Sequence, residues 1–235
     1  MILVRILLLL LSIFTETVWA STIQITPIKI HLHPKHAIET LKITNQDKEP
    51  VLIQLDIKKW QQDENCQDIY ENTNELLVTP SLFIIQPEQS QIVRLAVMKP
   101  EINPASIEKA YRLILREVPQ AKKNNEGIHQ LNMVLEMLLP VFVGNLETKT
   151  EHQHQHHYTG TVMNTPHPHT TVKINNKGTK HFLVTGLTIF DSENKPIFEK
   201  DKLFHYVLPG NSKIIQIESN QTLPHNARIV LKTNS

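Results

Sequence analysis

Apolar residues recur at every second position along most of this chain, a period that belongs to β-strands and not to helices. The segments that carry it are Thr22–Leu32, Ile38–Thr44, Val51–Trp60, Leu76–Ile85, Gln91–Val97, Tyr111–Val118 and Leu131–Val143. Turn-forming clusters such as Asn45-Gln46-Asp47 and Gln86-Pro87-Glu88 separate them. Seven short strands within about 120 residues, without helical periodicity, predict an immunoglobulin-like sandwich. A polar tract, 145–157, then interrupts the pattern. Beyond it a second, smaller set follows: Tyr158–Asn164, Thr170–Ile174, Phe182–Phe190, Lys195–Phe198, Leu203–Val207, Ser212–Glu218 and Ala227–Lys232. The expected fold class is all-β: two tandem immunoglobulin-like β-sandwiches, over 21–144 and 158–235, with a His-rich linker at 145–157.

One strand stands apart. In Leu131–Val143, Leu131, Met133, Leu135, Met137 and Leu139 share a face, while Asn132, Val134, Glu136 and Leu138 share the other. It follows a polar loop, Gln120 to Gln130. A ladder of large, flexible apolar side chains is either covered by its own domain or offered to a partner. Its alternation fits both.

The N-terminus limits where the chain works. Residues 1–20 carry a single Arg5, an apolar run from Ile6 to Phe14, and the ending Val18-Trp19-Ala20. This is the pattern of a cleaved secretory signal peptide, and no second apolar run approaches the ~20 residues of a membrane-spanning helix. The mature protein is expected to be exported and soluble. Its single Cys66, in the polar stretch QQDENCQD, cannot form an internal disulfide, so the core must hold the fold. The expectation for Cys66 is a bystander thiol in a loop. With 24 basic and 23 acidic residues, the balance of charge gives no case for nucleic acid or an acidic membrane as partner.

Histidines are the other candidate chemistry. His152, His154, His156 and His157 crowd the linker, and His167 and His169 follow in a Pro-flanked turn. On an extended strand, same-face neighbours stand roughly 7 Å apart. One metal ion needs its ligands ~2 Å away, so a further segment would have to fold over. A solvated interdomain segment is the expected role, with these four imidazoles as the metal candidates if one binds. Enzyme motifs are missing: no G-x-S-x-G, H-E-x-x-H, phosphate loop or dinucleotide fingerprint occurs, and the chain has six Gly. Neither catalysis nor a cofactor, ATP included, is expected. Arg112 and Arg116 fall opposite the core face of their strand, and are expected to be solvated or paired with Glu108 and Glu117.

Several blocks together resemble a known family. They are Thr26-Pro27-Ile28-Lys29-Ile30, Leu41-Lys42-Ile43-Thr44-Asn45, Leu77-Val78-Thr79-Pro80 with Phe83 and Pro87, and Ile92-Val93-Arg94-Leu95. Next come Tyr111 to Pro119, Leu139-Pro140-Val141-Phe142-Val143 and Tyr206-Val207-Leu208-Pro209-Gly210. In order and spacing the chain resembles the PapD-like periplasmic pilus chaperones, in particular the branch serving archaic or spore-coat-type fimbriae. The resemblance implies a chaperone of pilus subunits that works with an outer-membrane usher and lends the last strand of its first domain to an incomplete subunit. Leu131, Met133, Leu135 and Met137 would then be the donated residues, with Met suited to grooves of varied shape. It also implies basic residues between the domains that hold the subunit's terminal carboxylate. Lys29 falls at one such position, while the second, usually Lys, is Pro140 here. Self-association of the free protein would mask the ladder. Two other classes compete: a periplasmic His-rich metal-binding protein, and a surface-fibre structural subunit. The latter would carry an N-terminal donor extension, whereas this mature chain begins its first strand at once.

Overall fold

The structure is a computed structural model that describes residues 23–33, 36–98, 107–119, 134–144, 158–164, 169–218, 224 and 227–234. Among these residues it is all-β. The N-terminal half contains β1 (Ile23–Thr26), β2 (Ile30–Leu32), β3 (Ile38–Asn45), β4 (Val51–Gln62), β5 (Asp68–Asn72), β6 (Leu76–Thr79), β7 (Leu82–Ile85), β8 (Ser90–Val97), β9 (Lys109–Val118) and β10 (Glu136–Val143). One sheet has the order β1-β3-β8-β6; the other has β2-β10-β9-β4-β5, with β7 also on β4. Between them lie Leu32, Leu41, Ile43, Ile53, Val93, Leu95, Leu113, Leu115 and Val141, all fully buried. Their inward positions alternate along each strand, as a two-sheet core requires.

The second half contains β11 (Tyr158–Asn164), β12 (His169–Asn176), β13 (Phe182–Phe190), β14 (Pro196–Val207), β15 (Ser212–Glu218) and β16 (Arg228–Asn234). They form two three-stranded sheets, β11-β12-β15 and β14-β13-β16. Val172, Ile174, Phe182, Val184, Leu187, Ile189 and Val207 fill the space between.

Both halves turn the same corner with the same residue. Asn45 ends β3 fully buried; its Nδ2 donates to the carbonyls of Glu49 and Ile85, and its Oδ1 accepts from Asp47 N–H. Asn176 ends β12, donates to Lys180 and Val207, and accepts from Gly178 N–H. Each amide ties a turn to the end of a distant strand by satisfying carbonyls that would otherwise be buried unpaired. Replacing either with Leu leaves those carbonyls stranded, so each variant is expected to lose about 2–4 kcal/mol, read from chemical denaturation.

Four expectations need correction. The segment Thr22–Leu32 is not one strand but β1 and β2 on opposite sheets, because Pro27 has no N–H for a ladder and the chain bends there. Pro80 likewise divides Leu76–Ile85 into β6 and β7. The stretch around Cys66 is a loop, as expected, but it closes a hairpin onto β5, a strand the sequence pattern does not predict. Asp63 O accepts Cys66 N–H at 2.9 Å, Asp63 Oδ1 accepts Gln67 N–H at 2.8 Å, and Cys66 is buried. The partner strand β5 is an edge with little burial, so it lacks the alternation that would have marked it. Finally, Lys195–Phe198 and Leu203–Val207 belong to the single strand β14. A bulge after Asp201 shifts its register against β13 and leaves Phe204 exposed, which masks the continuity.

Candidate functional site: an open strand edge beside an interdomain cleft

The last strand of the N-terminal sandwich is only half enclosed. β10 pairs antiparallel with β9 over all eight residues, Glu136–Arg116 through Val143–Lys109. On its other side β2 runs parallel, but only Val141, Phe142 and Val143 are matched, by Ile30, His31 and Leu32. From Glu136 to Pro140 the outer edge of β10 has no partner strand among the described residues. Leu138 O there accepts from Arg112 Nη1 at 3.4 Å and Pro140 has no N–H, but the remaining edge groups can pair with an added chain.

Alternation along β10 continues past the end of the protein's own core. Leu139, Val141 and Val143 are buried in it, and Met137 packs against its rim, partly exposed. Leu135 is half-buried and aligned with Glu117, whose N–H donates to Leu135 O at 2.9 Å. The polar residue there marks where the apolar layer of β9 stops. So of the four expected donor residues, Met137 touches the core margin and Leu135 lies just outside it. Leu131 and Met133 lie outside the described residues, as do His152, His154, His156 and His157. Among the described residues no group of three or more His, Cys, Asp or Glu could hold a metal ion.

The opposite face of β10 carries Leu138, Pro140 and Phe142, and Phe142 meets the second sandwich. Phe142 is buried in a small cluster with Trp60, Ala110 and Leu208, and Tyr206 packs against it. The joint is also hydrogen-bonded. Gln62 uses its side-chain amide like a strand, donating to Tyr206 O at 2.9 Å and accepting from Leu208 N–H at 3.1 Å. Lys213 pairs with Asp68 at 3.2 Å. Glu108 N–H donates to Thr179 O at 2.9 Å, and its carboxylate accepts from both the backbone N–H and Nδ1 of His181.

Two cations stand around this cluster. Arg112 lies directly across from Pro140, on β9. It is neither solvated nor paired with Glu108 or Glu117, contrary to expectation: its guanidinium carbon sits 3.6 Å from the centre of the Trp60 ring and 5.6 Å from that of Tyr206. The reason is reach, since the outer face of β9 is here roofed by aromatic side chains from β4 and β14. Burial lowers its pKa, with Tyr70 and Asp68 opposing, but a guanidinium stays charged. Its Nε is buried without a hydrogen-bond partner. Arg116 does pair, with Glu136 at 2.5 Å. Lys29, in the bend between β1 and β2, is half-buried, with Nζ 5.8 Å from the centre of the Phe142 ring. Burial lowers the Lys29 pKa and Glu108 partly opposes it. Desolvation and the neighbouring Lys29 also push His31, on β2, down to about 4.

Sequence reading missed Arg112, Phe142, Trp60, Glu108 and His181 as a unit. No sequence signal would have found it: the long segment between β9 and β10 leaves their register open, and only the structure sets Pro140 opposite Arg112, a cation on the strand beside the one that lacks it.

Solved structures share this fold. No curated protein matches the sequence. Among solved structures, the chain resembles one in the CsuC–CsuE chaperone–tip adhesion subunit pre-assembly complex of archaic chaperone–usher Csu pili from Acinetobacter baumannii. That likeness has a TM-score of 0.66 at 17% identity, over 89% of this chain and 97% of the other. The Salmonella enterica SafA pilin–SafB chaperone complex gives 0.57 at 16% identity, covering 86% of each chain. The CupB2 chaperone of Pseudomonas aeruginosa gives 0.56 at 16% identity, covering 90% and 97%. At these identities the likeness carries the fold: two immunoglobulin-like sandwiches. The model of the pili and flagellar-assembly chaperones, PapD N-terminal domain, matches residues 22–144. That is more than half of the sequence, and the chain belongs to this chaperone family.

Proposed function

We propose that the protein is a periplasmic chaperone that caps fimbrial subunits by adding β10 to their unfinished sandwich, then passes them to an outer-membrane usher. The chain would be exported by residues 1–20 and would work as two domains, 21–144 and 158–235, joined by 145–157. The observation that carries the reading is the edge of Glu136–Pro140, which has no partner strand among the described residues, together with an apolar face that outruns its own core. Main-chain hydrogen bonds along that edge supply affinity; Leu131, Met133, Leu135 and Met137 supply the side chains for successive pockets. Two of the three similar structures named above are complexes of chaperones with a pilin or a tip subunit.

The cleft supplies the second contact. Lys29 and Arg112 flank one aromatic cluster, and a subunit's terminal carboxylate placed there would meet two cations in a partly dry setting. Arg112 takes over the charge that Pro140 cannot provide, from the adjacent strand. Replacing Lys29 with Met is expected to weaken subunit binding by ten- to a hundredfold, on the scale of about 1.5–3 kcal/mol for a hydrogen bond to a charged group. Isothermal titration with a purified subunit checks it.

The test of the function itself is capture of the mature protein from its own periplasm, with cargo identified by mass spectrometry. A small exported β-rich subunit at near one-to-one supports the reading. A protein that emerges alone, or with a partner unrelated to surface fibres, ends it.

A further inference from the structure

Lys29 and Glu108 are brought to the same joint yet do not pair. Lys29 Nζ lies 5.8 Å from the centre of Phe142. Glu108 binds His181, whose ring is stacked on the same Phe142 with centroids 3.4 Å apart and planes inclined by 5°. Opposite charges at a partly dry joint attract, and a carboxylate on a flexible stem could swing onto the amine. Here Lys29 forms no ion pair with a described residue. The Glu108 Oε1 atom instead accepts His181 N–H at 2.9 Å and His181 Nδ1 at 2.5 Å. Because a carboxylate only accepts, Nδ1 carries the proton. Both side chains are almost completely enclosed, at 3% and 5% exposure. The influence of Glu108 still reaches Lys29, whose pKa it raises against the larger effect of burial.

The geometry points to His181 as a positioning residue that holds Glu108 away from Lys29, keeping the Lys29 ammonium available for a carboxylate on the bound subunit. Glu108 is thus a built-in competitor for the anchor. The second sandwich disarms it by placing His181 against Phe142. Docking of the two sandwiches and readiness of the cleft become one event. This rests on the reading of Lys29 as a carboxylate anchor, given above.

The test uses the mature protein without any subunit. Lys29 is acylated with acetic anhydride in limiting amount and its rate is read by peptide mass spectrometry, with exposed Lys42 as the internal reference. Acylation needs the neutral amine, so pairing with a carboxylate slows it. In His181→Ala the rate at Lys29 is expected to fall at least threefold, and in His181→Ala with Glu108→Gln to return within twofold of the parent. His181→Leu, which keeps apolar bulk on Phe142 but no ring donor, is expected to behave like His181→Ala and replaces it should that variant not fold. A merely structural role predicts the reverse: loosening the joint exposes Lys29 and speeds its acylation, with or without Glu108. An unchanged or faster rate in the His181 variants, or no recovery in the double variant, overturns the inference and leaves the anchor reading intact. Conversely, full subunit binding by Lys29→Met removes the anchor reading whatever the labelling shows.

Discussion

Exchanging Met133 and Leu135 for Asp is expected to abolish subunit capture while the protein stays folded. Each apolar side chain seated in a pocket contributes ~1.5–3 kcal/mol, and an aspartate in its place adds the cost of a buried, unpaired charge. Even the lower bound for two side chains, about 3 kcal/mol, is on the order of a hundredfold in affinity. The fold tolerates the change at Leu135 because that side chain is half-buried opposite Glu117, beyond the apolar layer of the sandwich. Leu139 is the contrast: four residues further along the same face it is 5% exposed within the core. Leu139→Asp is therefore expected to unfold the N-terminal sandwich instead of only disarming it. Capture of cargo, run beside near-ultraviolet circular dichroism, separates the two. If the Met133, Leu135 double variant retains its cargo in full, β10 does not bind through this face.

The second large effect concerns the joint. Phe142→Ala is expected to cost about 3–5 kcal/mol, as for other large buried aromatics, and to uncouple the two sandwiches. Phe142 is 1% exposed and is the common neighbour of His181, Trp60 and Tyr206, at centroid distances of 3.4, 6.1 and 5.7 Å. Removing its ring leaves Gln62, Asp68 and Glu108 to hold the halves by hydrogen bonds and ion pairs at the edge of a void. Calorimetry of the parent should show the sandwiches melting together, and that of the variant two separate transitions. Trp60 supplies an independent reading, since cleavage at the expected site after Ala20 would remove Trp19 and leave Trp60 alone to report from the joint. Its emission is expected to shift to the red at the first transition of the variant. A single transition displaced by less than about 1 kcal/mol would mean that the polar contacts alone lock the halves together.

These two residues also show why the readings differed in quality along one strand. Leu139, Val141 and Val143 declare themselves by alternation, a property of the strand alone. Phe142 shares that strand, but its role depends on His181 and Tyr206, 39 and 64 positions later. No periodicity encodes a contact of that separation. Arg112 illustrates the same limit. Its place on the outer face of β9 was legible; its stacking on Trp60 was not, because only the pairing of β9 with β4 brings them together.

Taken alone, the sequence determined that the chain is β throughout, that its strands fall into two groups, and that one ladder of flexible apolar residues ends the first group. Period-two alternation and turn chemistry are local, so each strand carries its own record of which face is dry. The tertiary structure decided where that ladder stops serving the protein's own core, which part of β10 lacks a second partner strand among the described residues, and which cations gather at the joint. Those outcomes depend on where β2 ends against β10 and on how two sandwiches share one aromatic cluster. Edges and clefts are properties of the neighbours a strand lacks, and a strand's own residues do not record them.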